Sequence, residues 1–234
     1  MTSLKSPEPD LDRAFAIAAA RAEALLADPG GATAADRIRV ATSLLGAGVR
    51  APARELLRRR QRTDSDREAT AELENLSRHY HAWVGEAPGT AGPPDDPRRP
   101  ASLAAAAGAL ARDPDDPAAL VAVLDAVVRD LWGLGPDAPG AAITIRPELP
   151  GAWAFMALAR VRVGRTVLDL EVRRRRESLA ARVHRAAGPA VVVTLELHPR
   201  SSGPTFVDDV ELRGPRVRFE AVERHEIVAH RAAE

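Results

Sequence analysis

Cysteine is absent from the 234 residues, which excludes disulfides and any thiolate metal site. Aromatic residues are scarce, with three Trp, one Tyr and four Phe. So few rings leave little to stack on nucleic-acid bases. Charge of one sign is lacking too: 33 basic residues face 33 acidic ones. No global field therefore draws nucleic acid or an anionic membrane to the chain. No apolar run approaches the roughly 20 residues of a membrane span. The opening decapeptide, Met1 to Asp10, has no apolar stretch of the secretory kind. These absences predict a cytoplasmic protein with no membrane or nucleic-acid partner, and no motif calls for a metal or cofactor.

What the chain does have is a change of period. Up to about residue 134, apolar residues recur at helical spacing. The first such stripe holds Phe15, Ile17, Ala18, Ala22, Leu25 and Leu26, with Asp10 or Asp12 as cap and Asp28-Pro29-Gly30-Gly31 as stop. Thr33 opens a second helix, carrying Ile38, Ala41, Leu44 and Leu45. Pro52 suits the first turn of a third. Ser65 opens a fourth, in which Leu73, Leu76, Tyr80 and Trp83 repeat at three and four residues. Residues 85–100 are rich in Pro and Gly and predict a loop. An Ala-rich helix follows to Arg112, and Asp113-Pro114-Asp115-Asp116-Pro117 breaks it before a last helix ending near Trp132.

Beyond residue 135 the period is two. Leu168, Leu170 and Val172 alternate with Asp169, Glu171 and Arg173. Val191, Val193, Leu195 and Leu197 alternate with Val192, Thr194, Glu196 and His198. Such alternation predicts antiparallel strands with one wet face. Seven or eight of them make a two-sheet sandwich. The predicted fold is α+β: a disordered tail over 1–9, a helical hairpin array over 10–134 with a loop at 85–100, and an antiparallel β-sandwich over 135–234. Leu131, Trp132 and Trp153 are expected to join the last helix to the sheets.

The junction, Leu131-Trp132-Gly133-Leu134-Gly135-Pro136-Asp137-Ala138-Pro139-Gly140 followed by Arg146-Pro147-Glu148-Leu149-Pro150-Gly151-Ala152-Trp153, resembles the exit from the barrel of a six-hairpin glycosidase. The similarity is to amylo-alpha-1,6-glucosidase-like and glucoamylase-like proteins. There a last helix runs into a Gly-x-x-Pro-Asp-Ala turn, a strand, a Pro-x-Leu-Pro-x-x-Trp segment and a β-sandwich. Tyr80-His81-Ala82-Trp83-Val84-Gly85-Glu86 looks like the family's Tyr-x-x-Trp-Thr-Gly-Asp. Residues 47–57, Ala47-Gly48-Val49 through Leu57, look like its Gly-x-x-x-x-Ala-Arg helix start. The resemblance covers residues 36–86 and 118–198. It implies a carbohydrate ligand and sugar chemistry.

The chain also departs from that family. A six-hairpin toroid needs twelve helices, and this chain has room for about six of ordinary length. The family's Gly-rich loop after the helix ending at Gln61 is missing. The resemblance therefore carries over no catalytic carboxylate. Glycoside hydrolysis needs two carboxylates about 5–10 Å apart, one held protonated by its surroundings. Asp64, Asp66, Glu68 and Glu72, with Glu74 beyond, lie near the lost loop and are the weak catalytic candidates. Against that role, Ser65 with Glu68 forms a capping box, and acids favour a helix start through its dipole alone. Trp153 is the aromatic best placed to meet a sugar, although a core position is the stronger expectation.

The remaining clusters read as structure. His79 and His81, two apart on a helix, point to different faces and are expected to be solvated. His225 and His230, five apart in a strand, fall on opposite faces. Arg58-Arg59-Arg60 with Arg62, and Arg173 to Arg176, read as a solvated helix face and a charged hairpin turn. The sequence thus predicts a degenerate carbohydrate-associated module with no complete active site. One alternative is a residual glycoside hydrolase completed by a homo-oligomer or a partner subunit. Another is an interaction scaffold with no sugar link.

Overall fold

A computed structural model describes residues 2–27, 32–59, 67–85, 103–197, 203–212, 214 and 216–230. Among the described residues six α-helices follow a short first strand: α1 (Pro9–Ala27), α2 (Ala34–Gly46), α3 (Ala51–Arg59), α4 (Arg67–Val84), α5 (Leu103–Arg112) and α6 (Pro117–Asp125). Local chemistry sets their starts. The Thr33 hydroxyl accepts from the Asp36 backbone amide while the Asp36 carboxylate accepts from the Thr33 amide, a reciprocal capping box. Asp116 caps α6, with Pro117 in its first turn. α6 continues as a π-helical segment, Ala126–Leu131. The expected stripe on α4 is buried at Leu76, Tyr80 and Trp83, and Leu73 packs against the same core.

Eleven strands are present among the described residues, more than the seven or eight expected. β1 (Ser3–Lys5), β4 (Phe155–Val163), β5 (Thr166–Arg174), β6 (Ser178–Ala187), β11 (Arg224–His230), β8 (Thr205–Val207) and β9 (Val210–Leu212) lie side by side in that order in one sheet. The other sheet runs β10 (Arg216–Ala221), β7 (Val191–Glu196), β3 (Ala142–Ile145) and β2 (Gly135–Asp137). Alternation holds as expected: Leu168, Leu170 and Val172 of β5 are buried, and Val191, Val193 and Leu195 of β7 likewise.

Two expectations need correcting. The sandwich is not wholly antiparallel, because β3 pairs with β7 in parallel. Parallel neighbours need a long crossover, and the chain supplies one by building β4, β5 and β6 in the opposite sheet between them. Nor are residues 1–9 a free tail throughout. Ser3, Leu4 and Lys5 pair antiparallel with Ala159, Leu158 and Ala157 of β4. Leu4 is buried, and burial of such a side chain offsets the entropy lost on ordering a short strand.

Helices and sheets share one continuous apolar core, in which Leu131, Trp132 and Trp153 all take part. Backbone bonds fasten the joint: the Arg146 amide donates to Trp132 O at 3.1 Å, and the Glu148 amide to Leu131 O at 2.9 Å. Gly133 turns the chain there at φ +53°, and a Cβ at this position would come within 2.6 Å of Arg146 O.

Candidate functional site

The joint between helices and sandwich opens into a cleft of about 690 Å³. Its walls come from parts of the chain far apart in sequence. α1 contributes Leu11, Ala14 and Ile17; α5 contributes Leu103, Ala104, Ala107 and Leu110; the turn before β4 contributes Pro150 and Trp153. Polar groups gather at one end, as Glu8, Asp10 and Arg13. α1 delivers an apolar wall because Leu11, Ala14 and Ile17 recur at three residues and so share a face.

The polar end is built by the first turn of α1. Ser6 binds Asp12 twice, through its hydroxyl at 2.7 Å and its backbone amide at 3.1 Å. The Ser6 hydroxyl also accepts from the Glu8 amide at 3.1 Å. This knot fixes Glu8 beside the sandwich, where the Trp153 indole N–H donates to Glu8 Oε1 at 2.7 Å. Asp10 and Arg13 sit 4.0 Å apart at the rim with open side chains.

Trp153, the expected sugar-facing aromatic, is thus at the cleft but only 4% exposed. It closes one end and offers almost no ring face. The acidic candidates are elsewhere. Asp64 and Asp66 lie outside the described residues, as does the Glu68 side chain. Glu72 is buried on α4, where its Oε1 takes the Arg39 Nε–H of α2 at 2.8 Å. It does not line the cleft, and its ion pair ties two helices together. Glu74 is exposed.

A second polar cluster surrounds the π-helical segment. His79, expected to be solvated, is buried. Its Nδ1 lies 2.9 Å from Asn75 O and its Nε2 lies 2.8 Å from Arg129 Nη2. Arg129 also lies 4.0 Å from Asp125. Asp130 has its pKa pushed up to about 6, first by burial and then by the charge of Asp125, against the pull of Arg129. Sequence reasoning missed this pair because residues five apart diverge on an α-helix. The wider i→i+5 turn of a π-helix draws them toward one side, and no residue in the run Ala126–Leu131 announces that widening.

His225 and His230 lie on β11 at positions of opposite side. His225 Nδ1 bonds the Asp208 carboxylate, and its ring packs at a tilt on Phe219 with centroids 4.9 Å apart. Arg173 and Arg175, at the β5–β6 hairpin that the sequence reads as a charged turn, pair with Glu171 and Glu226. Among the described residues no group of three His, Asp or Glu is placed to hold a metal ion. No described helix is long and apolar enough to cross a membrane.

No known protein family matches the chain, and no curated protein does. Among solved structures, an alpha-L-rhamnosidase from Dictyoglumus thermophilum is similar over 50% of this chain, at 8% identity and a TM-score of 0.37. The similar region spans only 14% of the rhamnosidase chain.

Proposed function

We propose that this protein is a carbohydrate-associated module, related to the six-hairpin glycosidases, that hydrolyses no glycoside by itself. What supports the kinship is the joint. The glycosidase-like stretch 131–153 is the segment that passes from the last helix into the sandwich, with Trp132 and Trp153 buried along it. What speaks for an inactive module is the cleft chemistry. Glu8 is bound to the indole and Asp10 is open to water. Neither has the dry surroundings that hold a general acid. On this reading the protein works in the cytoplasm.

Thermal melting across a panel of maltooligosaccharides, isomaltose and other glucans tests the reading. A ligand at a hundredfold its Kd adds about 2.7 kcal/mol and raises the midpoint visibly. A shift with one sugar, without its hydrolysis, is the expected result. Turnover of a glycoside by the pure monomer would overturn it.

A second reading has one observation in its favour. The Asp130 carboxyl, on the π-helical segment, is pushed up to about 6 by burial and by the Asp125 charge, and a raised carboxyl is what a general acid requires. A residual hydrolase completed by a second copy or a partner subunit would need such a group. It predicts an oligomer in light scattering and hydrolysis lost in Asp130→Asn.

A further inference from the structure

We propose that the cleft between α1 and α5 binds a single-chain amphiphile: an alkyl tail along the helices and a head that donates hydrogen bonds and carries no negative charge, as in a long-chain alcohol or amine. This goes beyond the carbohydrate reading and does not depend on it.

The floor carries the first half of the argument. About 690 Å³ is within the range of clefts that enclose small ligands. Along most of its length the walls are aliphatic. α5 offers Ala104 and Ala107, whose side chains end at Cβ and leave the room a longer residue would fill. α1 offers Leu11 and Ile17, and Ile17 stays 40% exposed on the open wall. Among the described residues few large aliphatic side chains are left so open. A hydroxylated ring lying against these walls would turn oxygens toward aliphatic carbon without partners, which is unfavourable. An alkyl chain has none to bury, and gains with each methylene removed from water.

The polar end carries the second half. Two carboxylates, Glu8 and Asp10, and one guanidinium, Arg13, line the cleft, with Arg13 4.0 Å from Asp10. Carboxylates accept and never donate when ionised, so a hydroxyl or ammonium head finds partners there. A carboxylate or phosphate head meets net repulsion. Glu8 is held in place by Trp153 and by the Ser6 knot, so one acceptor is fixed before any ligand arrives.

Isothermal titration of the full chain with 1-octanol, octylamine and octanoate tests the proposal. Octanol and octylamine are expected to bind at least tenfold more tightly than octanoate. Ala104→Trp should weaken both at least tenfold, because an indole at this exposed position fills the floor. Asp10→Asn should narrow the gap between octylamine and octanoate several-fold. Ile17→Ser, also on an open wall, provides a second check should Ala104→Trp fold poorly. Equal or tighter binding of octanoate would overturn the proposal, as would no binding of any tail, or binding unmoved by both cleft variants. A doubled mass in light scattering, abolished by Ala104→Trp, would assign the cleft to a second copy and overturn it as well.

Discussion

The Trp153 indole N–H and the Glu8 carboxylate meet at 2.7 Å across 145 residues of chain. One belongs to the turn that enters the sandwich, the other to the start of the first helix. Their bond pins the strand β1 and the helix α1 to the sheet at once. Thr2 strengthens the same seam, its amide donating to Ala47 O at 3.0 Å and its hydroxyl to Arg160 O at 3.3 Å. Removing the acceptor leaves a buried donor without its partner, which costs about 1–3 kcal/mol. Glu8→Ala should therefore destabilise by about 1–2 kcal/mol in urea unfolding. Glu8→Gln, which keeps an acceptor oxygen, should recover most of that loss. Equal losses in both variants would show that the bond contributes little.

Arg39 and Glu72 form the polar tie between α2 and α4. The Glu72 side chain is 8% exposed and that of Arg39 29%. Stripping one partner from a buried pair commonly costs about 3–5 kcal/mol, whereas replacing both by apolar groups is often neutral. Since Arg39 is partly open and also lies 3.4 Å from Asp36, the cost here falls at or just below the bottom of that range. Arg39→Met should cost about 2–3 kcal/mol, and Arg39→Met with Glu72→Met should restore much of it. A double-mutant cycle in urea gives the coupling directly. A coupling near zero would reopen Glu72 to a role other than holding the helices.

Gly133 is where the resemblance to a barrel exit has a physical requirement. Its φ of +53° suits glycine, and a Cβ would meet Arg146 O at 2.6 Å and Arg146 Cβ at 2.7 Å. The first of these is backbone, fixed by the Arg146 amide bond to Trp132 O. Gly133→Ala should thus cost about 3 kcal/mol or more and loosen the joint. Loss of Trp132 emission character together with a lowered midpoint would report that. A variant as stable as the parent would mean that the joint relaxes freely.

Much of this fold is legible from residue spacing, and the limits are equally physical. Leu76, Tyr80 and Trp83 mark α4 because a long amphipathic helix repeats its stripe over several turns. Leu168, Leu170 and Val172 mark β5 for the same reason at period two. β1 and β2 escape because three residues hold too little alternation to read. The parallel pairing of β3 with β7 escapes because pairing partners are set by topology. Trp153 was legible as a residue of interest, yet its partner Glu8 lies in the stretch that reads as a tail. The cleft is invisible for a related reason. Its walls, Leu11 to Ile17 and Leu103 to Leu110, are ordinary helical stripes until folding sets them apart by the width of a few alanines.

Asp130 makes stability depend on pH. An ordinary aspartate titrates near 3.8, and burial with the Asp125 charge raises Asp130 to about 6. Below about 3.8 the group is protonated in both folded and unfolded chains, and it contributes no difference. Between about 3.8 and 6 the unfolded chain releases the proton while the folded chain keeps it, so stability falls as pH rises. Above about 6 the penalty for the buried charge is complete. Asp130 is only partly buried, so screening by solvent keeps that penalty to about 1–2 kcal/mol. Asp130→Asn should then be more stable than the parent at pH 8, with the gap closing toward pH 4. Asp125→Asn should bring a smaller gain at pH 8, since it removes the second cause of the shift and leaves the first. Urea midpoints measured from pH 4 to pH 8 decide the matter. A gap that stays constant with pH would mean that the substitution acts through packing and that the proton on Asp130 plays no part.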